Sequence, residues 1–445
     1  MPHEHILSRG IGAQLRKNLL KLPKRFMTPH TKHLKAFHAV ARLGSMNKAA
    51  VELLRAHSAV AHSIQQLEQG LGQALFERAA RGMLLTEAGR ILNRRVEFAF
   101  QEMEAARAEL ADVYSAQGLQ PRNAPVFTLA VNERRLAALV ALAEQKHMGA
   151  VAQQLDISQP AVSMAVRDLE DSIGLPLFDR SGTLWQPTAA GETLINHLKR
   201  AMSQLRLANA ELAAMNGQVS GQIIVGALPF GRPYILPAAI SRLHRKHPGL
   251  QFTTLEAPLK TLSYALWCGD IDFILGALSP TEMYPDLIQE NLFNDRMGVI
   301  ARAGHPLGER PGLSLADTLS ADWVLPRAGT PPRQLLGAAF AALNLPVPAA
   351  TVESSDLSVI RGLLLESDMV TAASSHLFHH EISAGALQRL PIEMAELRRS
   401  VGILRRTPEH SSPGAQLLIE EIRLMRGMPT GSTLSAAPDD CFAKS

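Results

Sequence analysis

The stretch SQPAVSMAVRDLE, Ser158 to Glu170, gathers hydroxyl, amide, guanidinium and carboxylate side chains, and the chain carries an echo of it, AHSAVAHSIQQLE, at Ala56 to Glu68. Ala, Val, Leu and Glu recur in step, while the polar opening SQP has become AHS. Neither copy has the makings of a catalytic centre. His57 and His62 stand five apart, so on a helix they do not share the face that a metal pair needs. Cys268 and Cys441 lie far apart, which fits neither a disulfide framework nor a metal site. There is no nucleophile elbow, Walker loop, HExxH, or GxGxxG between a strand and a helix, so no enzyme, metal or cofactor is implied. What remains is recognition by hydrogen bonding. Ser158 is placed to cap a helix, with Pro160 in its first turn, where a missing amide hydrogen costs nothing.

The elements that must position this stretch come in duplicate. Leu34 aligns with Leu136, Met46 with Met148, Leu67-Glu68 with Leu169-Glu170, Leu75-Phe76 with Leu177-Phe178, Arg78 with Arg180, Thr86 with Thr188 and Gly89 with Gly191, at a constant offset of 102. An unbroken register over some sixty residues means two copies of one folded unit. In the second copy Leu136, Leu139 and Ala143 form one apolar stripe, Val151, Ala152 and Leu155 another, and Val162, Val166, Leu169 and Ile173 a third, each at helical spacing. Gly174 then stops the third helix. PLFDRSGTLWQPTAAG reads as a short hairpin followed at Thr188 by a new helix cap. This is the winged helix-turn-helix plan, which offers its third helix to the DNA major groove.

Charge agrees with that plan. Residues 1–100 hold about 16 Lys and Arg against about 6 Asp and Glu, and the remainder is mildly acidic although the whole chain is only +4. A basic N-terminal part beside an acidic remainder suggests a polyanion-binding module joined to one that binds no polyanion.

LAALVALAEQKHMGAVAQQLDISQPAVSMAVRDLEDSIGLPLFDR, followed by TAAG, resembles the DNA-binding domain of LysR-type transcriptional regulators. The likeness covers about residues 136–200 and, less closely, 34–98. It implies that Gln159, Pro160, Ser163 and Met164, beside the cap Ser158, face the base edges, and that Arg167 and Arg180 contact phosphates. The family often has arginine where Met164 stands, so a bidentate contact to guanine gives way to apolar contact with a thymine methyl. In the first copy the matching positions are His57, Ser58, Ala61 and His62, without the Gln and Ser donors. Two readings compete for it: a second DNA reader, with the wing residues Arg78 and Arg81 on the backbone, or a domain kept for pairing.

A long helix follows each hairpin. Leu92, Val96, Ala99, Met103, Ala106, Leu110 and Val113 make a heptad seam, and Leu194, Leu198, Leu205 and Leu212, with Ile195, Met202 and Met215, a looser one. The resemblance implies dimerisation through this helix. Two such helices in one chain could also pair internally, across the turn-rich SAQGLQPRNAP at Ser115 to Pro125, and make a pseudo-dimer.

From Gln222 onward strands alternate with helices, as in QIIVGAL, PAAISRLHRKHP, LQFTTLEA, KTLSYALWCGD and IDFILGAL, which predicts a doubly wound parallel sheet. This half resembles the two-lobed, periplasmic-binding-protein-like effector domain of the same family. A small molecule would then lie between the lobes, where helix N-termini supply amide hydrogens suited to an anion. By position the site comprises Leu228, Pro229, Phe230, Gly231 and Arg232, then Gly329 and Thr330, Ser354 and Ser355, with Ser374 and Ser375 completing it. The first loop lacks the hydroxyls common in relatives.

The expected architecture is multi-domain: two all-α winged helix-turn-helix domains with long linker helices, then an α/β two-lobed effector domain. Its parts would be a basic arm (1–30), a divergent first unit (31–114), a linker (115–125), a second unit (126–217), an effector domain (220–427, lobe I 220–291 and 399–427, lobe II 292–398) and a disordered tail (428–445). No stretch approaches the roughly 18 apolar residues that a bilayer needs, and the start lacks an export signal, so the expected location is the cytoplasm, with no membrane partner. The expected partners are double-stranded DNA, a small-molecule effector and further copies of the chain, as homodimer or homotetramer through the linker helices. The alternatives are a transporter-like solute-binding protein and an architectural DNA-binding protein with a vestigial sensor.

Overall fold

The computed structural model describes residues 31–79, 82–182, 184–217, 219–278, 284, 286–392 and 398–425. The basic arm, Arg81 and the tail expected from 428 lie outside them. The first unit runs α1 (Thr31–Leu43), α2 (Met46–Glu52), α3 (His57–Leu71), an antiparallel hairpin β1 (Phe76–Ala79) and β2 (Gly82–Leu85), and the long helix α4 (Glu87–Ala116). The same order recurs in α5 (Glu133–Gln145), α6 (Met148–Leu155), α7 (Gln159–Ile173), β3 (Phe178–Asp179) with β4 (Gln186–Pro187), and α8 (Ala189–Met215).

The residues common to both copies are those that hold this order together. Gly72 and Gly174 end α3 and α7 at φ 66° and 81°, a left-handed conformation that glycine adopts without strain. The glutamate ending each Leu-Glu pair then reaches forward to the hairpin. Glu68 Oε1 accepts from the amides of Leu75 (2.8 Å) and Phe76 (3.4 Å), and Glu170 Oε1 from those of Leu177 (2.9 Å) and Phe178 (3.2 Å). Thr86 Oγ1 caps α4 by accepting from Gly89 N at 3.0 Å and donates to Ala74 O at 2.7 Å; Thr188 Oγ1 does the same with Gly191 N (3.1 Å) and Pro176 O (2.7 Å). A Cβ on Gly89 or Gly191 would lie 2.1 or 2.0 Å from the carbonyl oxygen of Leu75 or Leu177, so glycine is needed where helix meets hairpin.

The long helices pair with each other inside the chain. Leu92, Val96, Ala99, Met103, Ala106 and Leu110 of α4 are fully buried, as are Leu194, Leu198, Ala201, Leu205 and Ala208 of α8, and one apolar core joins both units. At the end of the first seam Tyr114 is buried beside the half-buried Val113, which packs against the same core, and the Tyr114 hydroxyl donates to Ile173 O at 2.6 Å. The linker expected at Ser115 to Pro125 leads into a short turn, Pro125–Thr128, whose Val126 and Phe127 enter the same core.

The C-terminal half contains β5 (Gly221–Ala227), α9 (Ile235–Lys246), β6 (Leu250–Leu255), α10 (Leu259–Trp267), β7 (Phe273–Ala277), β8 (Leu287–Arg302), β9 (Val324–Leu325), α11 (Pro331–Ala342), β10 (Val352–Glu353), α12 (Leu357–Glu366), β11 (Thr371–Ser374), α13 (His379–Ser383), β12 (Leu387–Arg389), β13 (Arg398–Arg406) and α14 (Pro413–Leu424). The main sheet has the order β11-β8-β13-β7-β5-β6, with β12 also on β8. It is mixed, not parallel as the alternation of elements suggested. β5, β6 and β7 are parallel, but β13 returns antiparallel to both β7 and β8. β8 runs unbroken through the boundary expected at 291/292, so the two lobes share a long strand pair. No helix among the described residues is long and apolar enough to cross a membrane.

Candidate nucleic-acid interface

The start of α7 combines a firm cap with an open edge. Ser158 Oγ accepts from Ala161 N at 3.3 Å, and Pro160 occupies the first turn. Val162, Ala165, Val166 and Leu169 turn into the core, which leaves Ser158, Gln159, Pro160 and Arg167 exposed, Ser163 half-buried, and Met164 59% exposed. Arg180 is exposed but engaged: its guanidinium pairs with Glu170 and lies 5.2 Å over the Trp185 ring. Any phosphate contact it makes must compete with that carboxylate.

The corresponding edge of α3 is uncapped, because Ala56 has no side-chain acceptor. His57, Ser58, His62 and Arg78 are exposed. Just before them Leu54 is 93% and Val51 76% exposed, and Leu54 holds a left-handed backbone (φ 52°) that costs a leucine about 1–2 kcal/mol. Its counterpart Asp156 has the same conformation (φ 54°) with a residue type that tolerates it. Sequence reasoning passed over Val51 and Leu54, though two large apolar residues beside a polar helix start were visible.

Between the lobes the predicted effector residues separate into two groups. Phe230, buried, meets the Phe293 ring at 6.0 Å and His376 at 5.4 Å, and Tyr234 stacks on His379 at 3.8 Å, so aromatic rings bridge the lobes. Leu228 and Gly231 are buried beside them, and Arg232 Nε donates to Ala227 O at 2.8 Å. Ser374 does not offer its hydroxyl to the cleft as expected, because Oγ donates to the buried Asp295 at 2.7 Å and accepts from His376 N at 3.1 Å. Ser375 follows it, half-buried. The second group lies at the carboxyl ends of the parallel pair β9 and β10. Gly329 (φ 81°) and Thr330 lead into α11, but the Thr330 hydroxyl donates to Arg327 O. Ser354 Oγ accepts from Asp356 N at 3.2 Å, Ser355 is exposed, and Asp356, not a serine, caps α12.

Residues 31–90 and 134–192 each match the bacterial regulatory helix-turn-helix protein, lysR family, and residues 216–425 match the LysR substrate binding domain. The chain belongs to the LysR family. It is 43% identical over 395 residues to the HTH-type transcriptional regulator GalR of Pseudomonas putida, covering 89% of this chain and 97% of that one. It is 31% identical over 306 residues to the uncharacterized HTH-type transcriptional regulator YdcI of Escherichia coli, covering 68% and 98%. Among solved structures, a full-length OxyR variant from Pseudomonas aeruginosa superposes with a TM-score of 0.52 at 26% identity, covering 66% of this chain and 95% of that one. The protein is a LysR-type DNA-binding transcriptional regulator with an effector-binding domain, and its relatives are regulators, not enzymes.

In this regulator the effector domain is fixed to α8 by a polar junction that sequence reasoning missed. Lys199, 7% exposed, pairs with Asp270 at 2.8 Å and with Glu144 of α5. Burial alone would depress its pKa, but the two carboxylates hold it well above the ordinary lysine value. Arg206 donates to Gly269 O at 2.7 Å, Arg406 to Ser203 Oγ at 3.0 Å, and Gln204 meets His410 at 2.9 Å. Arg200 spans Glu102 of α4 and Asp286. Burial lowers Arg406 to about 10, although Asp272 opposes the shift.

Proposed function

We propose that the two helix-turn-helix units are a duplicated winged domain, that the start of α7 is the principal base reader, and that a small molecule between the lobes modulates binding. The observation that carries this is the exposed edge of Ser158, Gln159, Pro160 and Met164, with the half-buried Ser163 among them, on a helix capped and packed by everything behind it. Gln159 suits the N6 and N7 pattern of adenine, Ser163 takes either donor or acceptor, and Met164 suits a thymine methyl. Arg167 holds register on phosphate, as does Arg180 whenever it leaves Glu170.

The rings of Phe230, Phe293 and His376 suit an apolar part of the effector, whereas the starts of α11, where Pro331 and Pro332 have no amide hydrogen, and of α12, whose Ser358 and Val359 amides go to Asp356, leave little for an anionic one. Ligand that draws the lobes together acts on α8 through Lys199–Asp270 and Arg406–Ser203, shifting how the winged domains are held on DNA. Two matches to a bacterial regulatory helix-turn-helix, which must meet its DNA, support action in the cytoplasm. The test is a binding titration against sites selected by the full chain. Gln159→Ala and Ser163→Ala each lose about 1–3 kcal/mol of discrimination, with the salt dependence unchanged. Unaltered discrimination in Gln159→Ala removes α7 as the reader.

A further inference from the structure

We infer that a single chain presents two unlike helix edges, α3 and α7, to one operator, which is therefore asymmetric and not a palindrome. The inference rests on the duplicated-domain reading and adds what the operator must look like.

Polar contacts between α4 and α8 repeat about an internal two-fold relation at three pairs of equivalent positions. Arg95 of α4 bonds Gln204 (3.0 Å) and Glu211 of α8; at the same three positions 102 residues apart, His197 of α8 bonds Glu102 (3.0 Å) and Glu109 (3.1 Å) of α4. The helix ends repeat the relation. Tyr114, ending α4, reaches Ile173 at the end of α7, and Asn216, its counterpart after α8, accepts from Gln73 Nε2 just beyond α3 at 3.0 Å. The pairs run in opposite directions along the helices, so α4 and α8 are antiparallel and the two units are related as the halves of a dimer. Both apolar seams are buried within the chain, so the pairing that would join α8 to its own mate in another copy is already filled.

A true dimer reads two identical half-sites, because its halves are identical. Here they differ in kind. Residues 31–90 hold eight Lys and Arg against four Asp and Glu, whereas 134–192 hold five against seven. Lys32, Lys35, Lys48, Arg55 and Arg78 are exposed on the first unit, which offers Val51 at the end of α2 and Leu54 in the turn before α3 where the second unit has polar residues. The half beneath α7 is specified by donors and acceptors. The half beneath α3 is gripped through phosphate, with thymine methyls against Leu54.

Tethered cleavage tests this. In the full chain carrying Cys441→Ser, a DNA-cleaving iron chelate is attached at Glu77→Cys or at the equivalent Asp179→Cys, both exposed hairpin positions. Cys268 is fully buried with its thiol pushed up to about 12, so it does not take the label. The target is a duplex selected from a random pool by the unlabelled chain. The expected result is two separate tracts, one cut only from position 77 and the other only from position 179, about one helical turn or a small multiple apart. Aligned selected duplexes, a second readout independent of the labelled variants, then show no dyad. Mirror-image cutting of both tracts by either label, or a palindromic alignment, overturns the inference. Cutting from 179 alone also overturns it, while leaving α7 as reader. Failure of the full chain to select any sequence is a failure of the DNA-reading proposal itself.

Discussion

Leu54 holds a backbone conformation that its residue type does not favour. A leucine in the left-handed region, 93% exposed, gains nothing from packing, and its counterpart Asp156 shows what the fold alone would choose there. Leu54→Asn is therefore expected to raise the unfolding free energy by about 1 kcal/mol, read from urea midpoints, because asparagine tolerates this backbone. The same variant is expected to bind the selected duplex roughly five- to tenfold more weakly, read by fluorescence anisotropy, through loss of the proposed thymine contact. Stability and affinity that fall together would mark Leu54 as structural. At this scale the sequence was legible wherever the cause is local: the Ser158 cap, the stop at Gly174 and the Thr188 cap each depend on a few neighbouring residues. It was silent where the partner is distant. Nothing near Ser374 announces that its hydroxyl belongs to Asp295, and nothing near Glu170 announces that it gathers the amides that start the hairpin.

The helix pair α4 and α8 is the element whose buried polar contacts give the fold a pH dependence. Burial alone would depress His197, but hydrogen bonds to Glu102 and Glu109 outweigh it and raise the pKa above 6.5. A raised folded-state pKa adds stability that is fully present below the unfolded value of 6.5 and is lost as pH rises through the folded value. Arg95 stands at the equivalent position of α4. The stability advantage of the native chain over His197→Gln should thus be greatest at about pH 5 to 6.5 and shrink toward pH 9, as read from urea unfolding. His197→Arg should flatten that dependence. An advantage that grows with pH would mean that the imidazole is neutral between its two glutamates. Both seams were readable as heptads, but their choice of partner was not, because an apolar stripe is equally content against a second copy. The polar residues flanking the seam carry that information. In the effector domain the same limit applied to the sheet: alternating strands and helices suggested parallel order, and only the long-range return of β13 onto β8 makes it mixed.

For the whole molecule, the question is whether the effector domain and the winged units behave as one body. Lys199 answers it in physical terms, since it is buried between Glu144 of the second unit and Asp270 of lobe I, and a buried charge tolerates no loss of partners. Removing one member of such a cluster costs about 3–5 kcal/mol, because the remaining charge stays buried without full compensation. The junction should therefore make unfolding of the two parts cooperative. Tryptophan positions allow this to be seen: Trp185 reports on the second hairpin, while Trp267 and Trp323 report on the effector domain. The native chain is expected to lose helical circular dichroism and tryptophan fluorescence in a single coincident transition. Asp270→Ala is expected to split it into two, with the effector domain unfolding apart from the helical units. A single transition retained in Asp270→Ala would show that Arg206, Arg406 and Gln204 hold the junction without Lys199. Signals from the lobes would then reach α8 through Ser203 and Gln204, at the middle of its pairing with α4.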